Sequence, residues 1–148
     1  MEVLNRSEVA EAAEVNIETL RYYERRGLIP APPRSPANYR QYPHHIVNRV
    51  RFVRHAQELG FSLNEIKQLL SLRATRGTKA SEVKRRASKK IDEITDRIRA
   101  LEHIRAALGH LVAQCSGDGP VEECTILHAI ESGRTDPPTQ EANYEAFP

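Results

Sequence analysis

The chain's two thiols, Cys115 and Cys124, stand eight residues apart in the stretch QCSGDGPVEECTI. A thiolate is a soft donor and selects soft cations such as Cu(I), Zn(II), Cd(II) and Hg(II). Gly117, Gly119 and Pro120 lie between the two and force a loop, so the pair can close into a compact two-sulfur clamp. The C-x8-C spacing is not that of a zinc ribbon, and on spacing alone two incidental thiols fit as well. Glu122, Glu123, His128 and His110 are near enough in sequence to add a donor, although each reads first as a surface residue. A permanent disulfide is disfavoured in a reducing compartment, but a pair that oxidises under stress would make a thiol redox switch.

The element before Cys115 is long. From Ala80 to Cys115 only Gly109 interrupts a glycine- and proline-free run. In heptad register, position a holds Ile91, Ile98, Arg105 and Val112, and position d holds Ala87, Ile94, Leu101, Leu108 and Cys115. Arg105 is the one charged member of that seam. An amphipathic helix of this kind rarely stays single, so a dimeric coiled coil is predicted, with Cys115 at its last seam position; a long helix lying on its own domain is the alternative.

Shorter elements come first. Residues 7–13 read as a helix with Ser7 as its N-cap, and Asn16 caps a second helix that stops at Gly27. The proline-rich run IPAPPRSPANYRQYP cannot be a regular helix and suits a short edge strand or wing. A third helix over 44–59 places Ile46, Val50, Val53 and Leu59 on one face. Ser62 caps a fourth, with Glu65 completing a capping box, and Gly77 ends it. After the second cysteine, Ile126, Leu127 and Ile130 make a short apolar pattern that ends at Gly133, and the tail is polar.

Net charge of +2 and a pI of about 8.6 say little about partners, so the placement of charge must decide. Arg21 and Arg25 lie four apart on one face of the second helix, which Thr19 and Tyr22 share, and the wing carries Arg34, Tyr39 and Arg40. Two short helices followed by such a wing match a winged helix-turn-helix, whose second helix enters the major groove while the wing grips phosphate. On charge alone, a merely solvated helix face fits equally. No nucleophile-and-base set, phosphate cradle or HExxH motif points to an enzyme. Neither a membrane-length apolar run nor a signal peptide is present, and the expected location is cytoplasmic.

Three stretches carry a resemblance: ETLRYYERRGLI, the R-x-x-x-NYRQY of Arg34 to Tyr42, and the QELGFSLNEIKQLL of residues 57–70. Together they resemble the MerR family of transcriptional regulators, over residues 3 to 132. The motif T-x-R-Y-Y-E-x-x-G-L is met at every defined position from Thr19 to Leu28. The resemblance implies a mainly α fold: a winged helix-turn-helix DNA-binding domain (1–76), a long helix forming an antiparallel dimeric coiled coil (77–115), a metal-binding loop and short helix (116–133), and a flexible tail (134–148). It also implies Arg21 and Tyr22 on the recognition helix, Tyr39 and Arg40 on the wing, and Arg54 as a second backbone contact. Such a homodimer would bind a near-palindromic double-stranded promoter and, with effector bound, distort it so that RNA polymerase engages. At position 14 relatives usually have glycine in the turn between the first two helices, so Glu14 implies either an unusual φ or a reshaped turn.

The resemblance further implies that Cys115 and Cys124 hold a soft metal, and it leaves the ion open. Divalent sensors add a third cysteine from the other subunit, at a position that is Ala80 here. That absence, with the copper-sensor-like ASEVKRR of residues 80–86, favours Cu(I), Ag(I) or Au(I). The loop length is that of the divalent group, so Zn(II), Cd(II), Hg(II) or Pb(II) stands as the alternative.

Overall fold

Side-chain caps set the start of three of the first four helices. In the computed structural model, which describes residues 3–135, α1 (Arg6–Ala13) begins at Asn5, whose side chain accepts from the Glu8 amide while Glu8 reaches back to the Asn5 amide. The cap is therefore Asn5 and not Ser7, and the helix starts one residue earlier than the sequence suggested. Asn16 caps α2 (Ile17–Arg25) through the Thr19 amide, and Ser62 with Glu65 forms the capping box of α4 (Leu63–Ala74), both as read from sequence. Between them, α3 spans His45–Glu58.

Val3–Leu4 (β1) pairs antiparallel with Tyr42–Pro43 (β2), joining the chain's start to the end of the proline-rich segment. Within that segment Arg34 bridges Arg40, and the turn at its tip closes through Asn38 N–H to the Ser35 carbonyl at 2.8 Å. That hairpin is the predicted wing. β1 is too short to announce itself in sequence.

The chain divides into two compact units, residues 1–87 and 88–148, and the boundary falls inside the long helix α5 (Ala80–Gln114). The first unit has a closed core. Val9 and Ala13 of α1, Leu20 of α2, Leu28, Ile29, Tyr42, Val50 and Val53 of α3, and Ile66 of α4 are all essentially inaccessible to water. Burying a side chain of this size stabilises by ~1.5–3 kcal/mol, so aliphatic residues compensate for the scarce aromatics. Leu59 is a correction: it is 68% exposed, and Ala56 and Val47 complete the inner face of α3 instead.

Glu14 sits at φ 57°, ψ 41°, in the left-handed region. This is the unusual φ expected from a residue standing where relatives have glycine, and it costs ~1–2 kcal/mol for a residue with a Cβ. Three arginines of α3 brace the surrounding backbone. Arg51 donates to the Ala12 carbonyl at 2.7 Å, Arg54 to the Glu14 carbonyl at 3.1 Å, and Arg49 to the Leu28 carbonyl at 2.7 Å. Each fills an acceptor that a helix end or turn leaves without a backbone partner.

In the second unit α5 continues to Gln114, a loop carries a single 3-10 turn (Val121–Glu123), and α6 spans Thr125–Ser132, ending on a left-handed Gly133. Of the predicted seam, Ile91, Ile94, Ile98, Leu101, Leu108 and Val112 all face solvent in the single chain. The predicted flexible tail, from residue 136 on, lies outside the described residues.

Candidate nucleic-acid interface and thiol site

The outward face of α2 carries the residues singled out by type. Arg21, Tyr22 and Arg25 are exposed, while Thr19 is half-buried near the helix start. Tyr22 is flanked by two guanidiniums, those of Arg25 and Arg26, each 5.9 Å from its ring centre, and its hydroxyl accepts from Arg26 at 3.4 Å. Both lie within cation–π range of the ring. Arg21 pairs with Glu18 at 2.6 Å, an exposed contact that a stronger acceptor can displace at little cost.

The wing presents Tyr39, 72% exposed, and Arg34, which donates to the Asn38 side chain at 3.1 Å. Arg40 is held at its base by Glu24 of α2, at 2.8 Å. Glu24 also takes Arg6 at 3.4 Å and the Tyr42 hydroxyl. Burial pushes the Tyr42 hydroxyl's pKa up, and its bond to Glu24 adds to that, so it remains a donor. Burial opposes the Arg6 charge, but contacts with Tyr42 and Glu24 outweigh it and raise the guanidinium's pKa. Sequence reasoning missed Arg6 and Glu24. The signal available was RYYE itself, an acid amid arginines, but its partners are fixed only in three dimensions.

Arg54 differs from its predicted neighbours. Its guanidinium is committed to Glu14, by the carbonyl at 3.1 Å and the carboxylate at 3.4 Å, and to Glu58 at 3.8 Å. The structure thus brings Arg34, Tyr39 and Arg40 together on the wing and Arg21, Tyr22 and Arg25 together on α2, while Arg54 braces the α1–α2 turn.

In the second unit the loop of residues 115–124 encloses a cavity of about 340 Å³, lined by Cys115, Cys124 and Glu123 among others. Gly117 at φ 77° and Gly119 at φ 87° make the two left-handed turns, a conformation other residues adopt only at a cost. Cys115 and Cys124 are both partly buried, neither is in a disulfide, and both line this one cavity. Cys124 opens α6, where the amide of Leu127 first, then that of Ile126 and the Cys115 thiol, hold its pKa below the usual thiol range against partial desolvation. Amides at a helix start favour an anion in this way.

Of the four candidate auxiliary donors, Glu123 lines the cavity, while His128 has its Nε2 within 3.0 Å of the Glu122 carbonyl. Among the described residues no group of three or more His, Cys, Asp or Glu side chains is placed to hold a metal ion. The soft donors present at the loop are two free thiols, which would suit a soft ion content with two ligands. They underfill a Zn(II) site, which is closed by four.

Comparison with known proteins agrees with this anatomy. The family profile "MerR HTH family regulatory protein" matches residues 5–73, and "MerR, DNA binding" matches residues 47–111. The chain is 36% identical over 130 residues to the HTH-type transcriptional regulator HmrR of Sinorhizobium medicae, covering 88% of each protein. It is 38% identical over 123 residues to the mercuric resistance operon regulatory protein of Bacillus cereus, covering 83% of this chain and 93% of that one. Among solved structures, the transcription regulator PbrR691 from Ralstonia metallidurans CH34, crystallised with lead(II), superposes with a TM-score of 0.78. It is 29% identical, over 86% of this chain and 98% of that one. No helix among the described residues is long and apolar enough to cross a membrane. With two family profiles together spanning residues 5–111 and relatives 36–38% identical over most of both chains, the chain belongs to the MerR family of transcriptional regulators, which bind DNA and are not enzymes.

Proposed function

We propose that this chain is a soft-metal-responsive regulator that binds a near-palindromic promoter, with Cys115 and Cys124 as its metal ligands. Members of the family bind promoter DNA as dimers. Here the exposed apolar seam of α5 supplies the dimer contact, residues 1–76 the DNA-binding part, 77–115 the dimerisation helix and 116–133 the sensing loop. Thr19, Arg21, Tyr22 and Arg25 read the groove or its edge; Arg34, Tyr39 and Arg40 hold backbone phosphate. Arg54, whose side chain keeps 26% of its surface in solvent, adds the second backbone contact while also donating to the Glu14 carbonyl.

The observation that carries the sensor reading is that two free thiols line the same small cavity, one at each end of its loop. Coordination would tie the two ends of the loop together through the sulfurs. The chain contributes the rest: the α6 amides stabilise thiolate, Gly117 and Gly119 let the loop fold over the pair, and Cys124 couples the loop to the pose of α6. Distortion of the promoter, rather than new base contacts, then lets RNA polymerase engage.

Two thiolates without a third donor favour an ion stable in linear coordination. Cu(I), Ag(I) and Au(I) meet that condition, and so does Hg(II), which fits the likeness to a mercuric regulator. Pb(II), Cd(II) and Zn(II) want more ligands than the described residues of one chain provide. The test is titration of reduced protein, free of air, with Cu(I), Ag(I), Hg(II), Cd(II), Pb(II) and Zn(II), read by stoichiometry per dimer and competition affinity. Linear-preferring ions should bind tightest, and Cys115→Ser or Cys124→Ser should abolish both binding and the transcriptional response while sparing DNA binding. Indifference to every one of these ions would sink the reading. Two free thiols on one cavity would also allow an oxidant to close them to a disulfide. A response to oxidant in chelator-treated protein would move the function to redox sensing.

A further inference from the structure

A carboxylate is out of place on a surface built to meet phosphate, yet Glu24 sits within α2 with its side chain only 8% exposed. It accepts from Arg40 of the wing at 2.8 Å, from Arg6 of α1 at 3.4 Å and from the Tyr42 hydroxyl of β2. One acid therefore links side chains from α1, the wing and β2 to α2. Arg6, Arg34 and Arg40, with Asn5, Ser7 and Tyr39, line an open cavity of about 510 Å³. Arg6 and Arg40 keep 21% and 28% of their side chains in solvent, so they remain available to a second anion beside the first. Against the one carboxylate stand three guanidiniums, and the cavity stays cationic.

We propose that Arg6, Arg34 and Arg40 form a seat for a DNA backbone phosphate and that Glu24 is its positioning residue, fixing wing and α2 in one register on the duplex. The proposal rests on the DNA-binding reading above. Its physical content is a reversal of the simplest electrostatic expectation. Removing an acid from a DNA-facing surface should tighten binding to any duplex, since one more positive charge is left uncompensated. If Glu24 positions, its loss instead frees Arg6 and Arg40 to swing and unlinks the phosphate contact from the helix that reads bases. Phosphate contacts fix register, so discrimination between sequences falls even where general attraction rises.

The experiment uses the full chain. A duplex is selected from a random-sequence pool by the unaltered protein, and its affinity is compared with that of a scrambled duplex of equal length and composition, across a salt series. With Glu24→Gln, the ratio of the two affinities should fall about tenfold or more, with the scrambled duplex bound as well as before or better. If both affinities rise together and the ratio holds, Glu24 is only an electrostatic drag and the positioning role is overturned. Should Glu24→Gln fail to fold, as thermal unfolding would reveal, Arg6→Ala carries the test, because Arg40 and Tyr42 still neutralise Glu24. It should weaken both duplexes by the same factor and reduce the log–log salt slope by ~0.9, as loss of one phosphate contact requires. Unchanged binding by Arg6→Ala refutes the seat. If the unaltered protein enriches no duplex, the DNA-binding reading itself fails and takes this one with it.

Discussion

In residues 3–87 the apolar side chains close on one another, with Leu20, Leu28 and Val53 wholly buried, whereas in 88–135 Ile91, Ile98, Leu101 and Val112 face water. The two regions differ in polar chemistry as well. The first encloses a network in which one carboxylate serves two guanidiniums and a hydroxyl; the second keeps a pair of sulfurs at the mouth of a small loop. A region with a finished core needs nothing further to fold. A stripe of solvent-facing isoleucine and leucine calls for another surface. Self-sufficiency in one part and incompleteness in the other divide the labour between gripping a ligand and assembling.

The contrast breaks hardest at Leu101, which is 64% exposed in the single chain. Leu101→Glu should put an unpaired charge into the seam, at roughly 3–5 kcal/mol per charge, and give monomers by sedimentation while the N-terminal core still unfolds cooperatively. A variant that stays dimeric refutes the seam. A smaller effect sharpens the polar half of the comparison. The start of α6 lowers the Cys124 pKa, so its thiolate, and the stability the thiolate contributes, should persist below the ordinary thiol range and be lost only as pH falls through the lowered value. In reduced, metal-free protein the alkylation rate of Cys124, followed by peptide mass spectrometry, should reach half-maximum at lower pH than that of cysteine in an unstructured peptide. Coincident profiles would mean that α6 does nothing for the sulfur. The smallest effect concerns the N-terminal unit. Glu14→Gly should relieve the left-handed strain and stabilise by ~0.5–1 kcal/mol in thermal unfolding, because the exposed ion pair it removes is weak and glycine's greater freedom when unfolded offsets part of the gain.

Much of this anatomy could be read from residue order because its causes are local. Caps at Asn16 and Ser62, stops at Gly27 and Gly133, and the heptad of α5 each depend on neighbours within a turn or two. The misreadings have non-local causes. Ser7 is as good a cap by type as Asn5, and only the β1–β2 pairing fixes where the chain turns into α1. Leu59 has the right spacing for the core but sits at the C-terminal cap of α3, where the helix has run past what it covers. In the candidate sites, the cysteine pair and the α2 arginines were legible from type and spacing. The hub at Glu24 was not, since its partners lie 16 to 18 positions away in sequence.

The arginines of α3 carry a consequence for how this sequence can drift. Their acceptors at residues 12, 14 and 28 are peptide carbonyls, which every amino acid possesses. Whatever side chain mutation places in the α1–α2 bend, the brace finds the same oxygen waiting. Glutamate can therefore occupy a left-handed site without undoing the bend, while a lysine or leucine in place of Arg51 or Arg54 would be felt at once.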